Sequence, residues 1–426
     1  MKLIRKIYIK ISKYILPLFL FSLVLLKIPP LYLIFPIKSS LLTTPSLSRI
    51  IIAFLFLVIV FAQVFRGKML HGKKERVTLV VFLIYFALQS LSIISAQNTV
   101  AFLQRYKDIL FPGFFLFVVL VLNKHKRKVM AIFSIVPAFN FVYQMIMFWF
   151  PSFFQSLASI FVYGKHLELV SINLERGRLF IETYDEIAIP FLFVLIPLCK
   201  KRWQKVAVFL LFGAIVIPSF LSNFRSRILM FAFAFLASFF FLSTKKIASR
   251  VSFLISSLII IYFTATLLSS VLGFSFVDRF ALRHEREDVM TIESRSDHIK
   301  ESAEMGLAFP FTGIGLGNYY EYLSVSKTNS ASVFGWVKKE MAIASTSPHN
   351  IFAQIVSETG VISLLFYVGM LGFFARNDSK LLFKNKTSDI TKSFVISFWA
   401  LFLYSVFNPS TTFEYNALFW ILRGMI

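Results

Sequence analysis

The stretch Ser347-Pro348-His349-Asn350 places an ionisable imidazole at the start of a long apolar run, in a chain with only six histidines among 426 residues. Ser347 is a good N-cap and Pro348 is tolerated in a first helical turn, so the pattern predicts a helix with His349 and Asn350 in that turn. The positive end of the helix dipole disfavours imidazolium and leaves a neutral histidine. Such a histidine suits a general base for a hydroxyl; the alternative is one that only hydrogen-bonds a neighbouring loop.

A second set of residues suited to chemistry consists of four arginines at or near the predicted outer membrane face: Arg178, Arg225, Arg227 and Arg295. Positive charge there opposes the usual orientation bias and costs about 2.5–3.5 kcal/mol if it sinks toward the bilayer centre. A guanidinium is a planar fork that binds phosphate in bidentate fashion, so converging arginines could stabilise a diphosphate leaving group without a metal. The alternative is pairing with lipid phosphates or with a carboxylate of Glu182, Asp185 or Glu186.

Long apolar helices must position these residues. Hydrophobic residues form 57% of the chain, charged residues form 15%, and the mean hydropathy is +0.75, whereas soluble domains carry about 25% charged residues. The apolar runs lack the alternation of barrel strands, so they indicate helices in lipid. The sequence predicts an all-α polytopic membrane protein with about 12 transmembrane helices, within a range of roughly 10–12. The predicted spans are 14–36, 49–65, 77–95, 109–122, 129–150, 186–199, 206–222, 228–243, 251–272, 350–375, 393–408 and 412–425.

The formal net charge of +24 is distributed in short basic clusters between apolar runs. Every second loop carries such a cluster, and this positive-inside pattern places those loops and the N-terminus in the cytoplasm. A nucleic-acid partner would require the charge to be gathered in one domain with stacking aromatics, so none is expected, whereas anionic membrane lipids suit the clusters. The clusters lie at 2–13, 66–76, 123–128, 200–205, 243–250 and 380–392.

Residues 1–426 are predicted to form a single integral membrane domain with two outward-facing stretches, 151–185 and 273–349. The second is the large extracytoplasmic loop between the ninth and tenth spans, and it holds almost half of the 21 acidic residues. Long structured loops usually carry function. Within this loop, residues 294–307 are predicted to form a solvated helix that is capped by Ser294.

Three further features limit the candidate chemistry. The acidic run at 285–289 suits a solvated helix face better than a metal site, so no metal and no cofactor are expected. Cys199 is the only cysteine, which rules out internal disulfides and a cysteine-based metal cage. Glu358 lies on the opposite helix face from His349, so we expect it to make a buried helix–helix contact rather than to orient the histidine.

Two stretches, SRSDHIKESAEMGLAFPFTGIGLGNYY and SPHNIFAQIVSETGVISLLFYVG, resemble the O-antigen ligase and polymerase superfamily. Its pattern is an arginine-led helix, a proline, a Gly-x-Gly-x-Gly turn, then His-Asn and Glu-x-Gly. The turn FRSRILMFAF resembles the family's Ser-Arg motif, and the segment 177–195 resembles the one before it. That segment departs from the family because Tyr184-Asp185-Glu186 stands where an Asn-Pro-Asn-like turn is common. The resemblance covers residues 177–375.

The resemblance implies a GT-C-like glycosyltransferase at the outer face of the bacterial cytoplasmic (inner) membrane. It would transfer a glycan from undecaprenyl diphosphate to a sugar hydroxyl with inversion and without a metal. Arg295 and Arg227 would engage the diphosphate, with Arg225 as the rival of Arg227, and His349 would assist the acceptor hydroxyl. The remaining candidates are expected to bind substrate or to shape the loops: Arg178, Asn350, Gly313, Gly315 and Gly317. The three glycines are expected to form a tight turn rather than to contact the substrate.

The ligase and polymerase activities share these motifs and differ in the acceptor. A ligase transfers the glycan to lipid A–core, whereas a polymerase transfers it to another lipid-linked repeat unit. The span count and the single dominant outer loop favour a ligase in lipopolysaccharide biosynthesis. A lipid-linked oligosaccharide flippase would need charges deep within its spans, and a structural scaffold would give no reason for His349 or the outer arginines.

Overall fold

The computed structural model describes most of the chain, and within the described part every regular element is a helix. The described residues are 2–28, 47–66, 72–150, 183–222, 224–242, 285–319, 348–384, 386–408 and 412–426, together with the single positions 152, 255, 262, 266 and 322. They form α1 (Lys2–Lys27), α2 (Leu47–Arg66), α3 (Lys73–Leu91), α4 (Thr99–Leu122), α5 (Lys126–Trp149), α6 (Ile189–Leu195), α7 (Arg202–Leu221), α8 (Arg225–Leu242), α9 (Glu285–Ala308), α10 (Ile351–Phe383), α11 (Asp389–Phe407) and α12 (Phe413–Met425).

The helical membrane architecture predicted from the sequence is confirmed. Six helical stretches of the described chain are long and apolar enough to cross a membrane, and the longest, Thr99–Trp149, contains both α4 and α5. Many large apolar side chains on these stretches are exposed, Leu210 and Phe209 among them, as expected for surfaces that face lipid. The total of about 12 spans stays a prediction, and the ninth predicted span, 251–272, lies outside the described residues apart from single positions.

Several predicted boundaries differ from the helices. The predicted span 186–199 contains the seven-residue α6 with short 3₁₀ turns at Asp185–Ala188 and Ile196–Leu198, because prolines at 190 and 197 divide the apolar run. α9 begins at Glu285, so Ser294 lies inside the helix and does not cap it. The run of charged residues before Ser294 continues the helix because glutamate and arginine are good helix formers.

The predicted span 350–375 is a broken helix. Gly360 has φ 86° and ψ 172°, which interrupts α10. The segment before the break packs on α9 so closely that a Cβ at Gly306 would lie 2.5 Å from Val356 Cγ2. The segment after the break, 361–383, is by itself long enough to cross a bilayer, which needs about 20 residues.

Buried ion pairs anchor the helices that surround α10. Arg423 of α12 binds Asp378 of α10 through one guanidinium nitrogen at 2.7 and 2.9 Å, and its guanidinium lies 3.9 Å from the centre of the Phe374 ring. Trp399 of α11 donates to the same carboxylate at 2.9 Å. A buried charge needs a partner of opposite charge, and this contact joins the last three helices.

Candidate functional site

A glycine-rich turn follows α9 and lies between the broken helix α10 and the connection from α3 to α4. The Ile314 and Gly315 N–H groups donate to the carbonyl oxygens of Ser357 and Glu358 at 2.8 and 3.0 Å. On the other side, Leu316 N–H donates to Ser92 Oγ at 3.3 Å. The turn therefore connects α9 to α10 by backbone hydrogen bonds and to the α3–α4 junction through the Ser92 side chain.

Glycine is required in this turn by both conformation and space. Gly313, Gly315 and Gly317 have φ values of 62°, 94° and 73°, a region that side chains with a Cβ rarely adopt. A Cβ at Gly313 would lie 2.3 Å from the Thr359 backbone nitrogen, and one at Gly315 would lie 2.6 Å from Ala96 Cα. The three glycines thus form the tight turn that the sequence predicts.

His349 lies immediately before α10 and not in its first turn. Asn350 is the N-cap, since its Oδ1 accepts from the Phe352 and Ala353 N–H groups at 2.8 and 3.1 Å. The prediction that Ser347 caps this helix was therefore wrong. Asn350 also donates to the Val406 carbonyl oxygen of α11 at 2.8 Å, so this residue holds the segment that carries His349.

The environment of His349 favours its neutral form. Its ring centre is 6.3 Å from that of His298, which lies on α9. Desolvation, then the positive charge of Arg295, then His298, lower the pKa of His349 below its ordinary value. The neutral, proton-accepting histidine expected from the sequence agrees with this environment. The expectation relied on the helix dipole, whereas in the structure burial and the neighbouring residues Arg295 and His298 of α9 disfavour the positive charge.

Arg295 and Arg225 act on each other. Desolvation and then the charge of Arg225 lower the pKa of the Arg295 guanidinium. Arg225 is the first residue of α8, and Arg295 is in the middle of α9. The charge of Arg225 thus acts on Arg295, and the charge of Arg295 acts on His349. A doubly charged anion would be complementary to such neighbouring guanidinium groups.

Arg227 is committed to a buried ion pair. Its Nε donates to Glu186 Oε1 at 2.7 Å, and both side chains are buried. Ser219 donates to the same oxygen at 2.7 Å. The alternative interpretation of the outer arginines predicted such an ion pair with a nearby carboxylate, and Arg227 makes it. Arg225 is thus the one whose charge acts on Arg295.

The segment Tyr184-Asp185-Glu186, which departs from the family pattern, forms a turn that carries two buried carboxylates. Tyr184 adopts a left-handed conformation, with φ 52° and ψ 39°, and starts the 3₁₀ turn that carries the two carboxylates. Asp185 lies 3.2 Å from the Lys27 ammonium of α1 and accepts from Asn140 of α5 at 2.9 and 3.0 Å. The two buried carboxylates and the two buried cations, Lys27 and Arg227, together balance in charge.

A buried group that the sequence analysis did not select lies behind His349. His298 Nδ1 is 3.1 Å from Glu301 Oε2, and the Tyr319 hydroxyl donates to the same oxygen at 3.0 Å. His298 and Glu301 are 3% and 4% exposed, and Tyr319 is fully buried. The (i, i+3) spacing of His298 and Glu301 on the predicted helix was the available signal.

Glu358 is buried, as the sequence predicts, but its hydrogen bonds go to its own helix and to the glycine turn. It is fully buried, and its carboxylate accepts from Gln354 Nε2 at 3.2 Å and from the Gly317 N–H. Arg105 of α4 provides the opposite charge. Glu358 therefore holds the glycine turn against α10.

Arg178 and parts of both predicted outer stretches lie outside the described residues. Arg178, with most of 151–185, lies outside the described residues, as do 273–284 and most of 320–347. Within the described part of the chain, no group of three or more His, Cys, Asp or Glu side chains is arranged to hold a metal ion.

The apolar helices indicate a multi-pass membrane protein. Residues 206–368, from α7 to the second segment of α10, match the family model described as O-antigen ligase. Over that region, the resemblance to the O-antigen ligase and polymerase superfamily is confirmed, and the match supports a function of ligase or polymerase type. None of the curated proteins matches the chain.

Proposed function

We propose that this protein transfers a glycan from undecaprenyl diphosphate to a sugar hydroxyl of lipid A–core, as an O-antigen ligase at the outer face of the bacterial inner membrane. The observation that carries the proposal is that Arg225 of α8 and Arg295 of α9 lie close enough for their charges to interact, and that Arg295 likewise acts on His349. The family match over 206–368 includes all three residues.

The proposed reaction is a direct displacement at the anomeric carbon. The acceptor oxygen forms a bond to that carbon on one face while the bond to the diphosphate oxygen breaks on the other, so the configuration inverts. The electron pair moves onto the diphosphate, where the forks of Arg225 and Arg295 stabilise the developing charge. The hydroxyl proton moves to His349, which is neutral and accepts it.

Other candidate residues have supporting roles in this proposal. Asn350 holds the segment that carries His349 by its contact to α11. The glycine turn holds the end of α9, the helix that carries Arg295, by its contacts to α10. Arg227 stabilises the fold beneath Arg225 through Glu186. Arg178 stays a candidate ligand of the diphosphate.

The test is transfer by purified protein in EDTA, with labelled undecaprenyl-diphosphate glycan and either lipid A–core or a second lipid-linked repeat as acceptor. We expect product with lipid A–core. Product formed only with the second repeat would identify a polymerase, and no product with either would contradict the proposal. Arg295→Lys should lose about tenfold or more in rate, because an ammonium cannot reproduce the bidentate fork. A wild-type rate for that variant would show that Arg295 does not hold the phosphate.

A further inference from the structure

His298, Glu301 and Tyr319 form a closed hydrogen-bonded group next to His349, and the proposed function does not use them. Three contacts join them: His298 Nδ1 to Glu301 Oε2 at 3.1 Å, Tyr319 hydroxyl to Glu301 Oε2 at 3.0 Å, and Tyr319 hydroxyl to His298 Nδ1 at 3.2 Å. All three residues are buried, so the contacts are protected from water and are stronger than at a surface.

The donor and acceptor roles follow from the carboxylate. An ionised carboxylate only accepts hydrogen bonds, so Glu301 receives one from Tyr319 and one from the Nδ1–H of His298. Desolvation and then the negative charge of Glu301 raise the pKa of the Tyr319 hydroxyl, so it keeps its proton. The Nε2 atom of His298 therefore carries the lone pair and can accept a further proton.

The charges around the two histidines differ. Among the described residues, Arg295 and His298 act on His349, and both disfavour a positive charge there. His298 contacts the carboxylate of Glu301, with the Tyr319 hydroxyl beside it, and Glu358 adds a more distant negative charge that acts on Tyr319. The carboxylate of Glu301 is therefore placed to stabilise a proton on the His298 ring, as in other carboxylate–imidazole pairs.

The distance permits transfer between the rings. The ring centres are 6.3 Å apart and the planes are inclined by 60°. A gap of this size can be spanned by one water molecule with hydrogen bonds of about 2.8 Å each. We propose that His298 is a positioning residue for proton transfer: held by Glu301 and Tyr319, it accepts from His349 the proton that the acceptor hydroxyl releases. This inference rests on the proposed function.

The step balances without a further reactant. When the acceptor oxygen bonds to the sugar, its proton passes to His349, while the bond electrons of the leaving group go to the diphosphate. The proton then moves to His298 Nε2, which leaves His349 neutral for the next acceptor. The ion pair of His298 with Glu301 later releases the proton to solvent.

The experiment measures transfer of labelled glycan by purified full-length His298→Gln and Glu301→Gln across pH 5–9. We expect both variants to lose about tenfold or more in kcat, with the KM for the lipid-linked donor unchanged, because general acid–base steps contribute about 10²–10⁴-fold. The pH profile should change, and added imidazole should restore turnover to His298→Ala in proportion to its neutral form. A purely structural role would not produce rescue by imidazole.

The matched control is His125→Gln, a histidine in the turn between α4 and α5, and it should behave as wild type. If His298→Gln does not fold, Glu301→Gln carries the same test, since it keeps the side-chain shape and removes the charge. If His349→Ala is inactive while both other variants keep the wild-type kcat and pH profile, the inference is overturned and the proposed function stands. If wild-type protein transfers no glycan, both are overturned.

Discussion

Two arginines only two positions apart on α8 have different surroundings. Arg227 donates to the buried carboxylate of Glu186, whereas the charge of Arg225 acts on Arg295. The sequence could indicate that an outer arginine pair is costly and therefore selected for a purpose. The sequence could not show which of the two arginines pairs with a carboxylate, because that depends on where the carboxylates of the segment 183–186 lie in three dimensions.

Substitution should separate these two arginines. Arg227→Ala leaves Glu186 buried without its cation and should destabilise the fold by about 3–5 kcal/mol, which a lower unfolding temperature in detergent would report. Arg225→Ala should instead keep the unfolding temperature and lose transfer activity by about tenfold or more, since it removes stabilisation of the leaving group. Normal transfer by Arg225→Ala, or an unchanged unfolding temperature for Arg227→Ala, would contradict this assignment.

The pH dependence of transfer tests the state of His349. A general base must be deprotonated, so activity falls as the pH drops through its pKa. Desolvation lowers that pKa from its ordinary 6.5, as do the charge of Arg295 and, when it is protonated, that of His298. We therefore expect the acid limb of kcat/KM to have its midpoint below pH 6.5, measured with saturating acceptor. A midpoint above that value would mean that the base does not lie beside these cations.

At the scale of elements, the glycine turn and the break in α10 form one unit. Gly360 has a φ of 86°. A Cβ added at this position would lie 2.6 Å from the Pro310 carbonyl oxygen. The Gly-x-Gly-x-Gly pattern predicted the turn, since several glycines together indicate backbone conformations that other residues avoid. The break was not predicted, because a single glycine within an apolar run is also tolerated in a continuous helix.

Alanine substitution should distinguish the two kinds of glycine in α10. Gly360→Ala combines a left-handed φ with a clash against Pro310, so it should lower stability by about 1–3 kcal/mol and reduce transfer by displacing the glycine turn. Gly369→Ala is the control, since no atom lies within 4 Å of the added Cβ and alanine favours a helix. Thermal unfolding in detergent measures both, and equal unfolding temperatures for the two variants would contradict the role of the break.

At the scale of the whole molecule, composition and hydropathy were sufficient for the architecture. In lipid, the backbone N–H and C=O groups of long apolar runs find their hydrogen-bond partners by forming helices. Six stretches of the described chain have the length and hydropathy expected of membrane spans. The exact number of transmembrane spans was harder to predict, because α6 is short and because α4 and α5 are separated only by the 3₁₀ turn Asn123–His125. The clustering of His349 with α9 also depended on the family pattern, because the intervening loop separates His349 from Arg295 by more than fifty positions.

In the proposed mechanism, His349 assists glycan transfer from a diphosphate held by Arg225 and Arg295. The most direct measurement compares wild type and His349→Ala, purified at equal yield, for transfer of labelled glycan from undecaprenyl diphosphate to lipid A–core in EDTA. We predict product with the wild type and a loss of about 10²–10⁴-fold in the variant. Full transfer by His349→Ala would contradict the account.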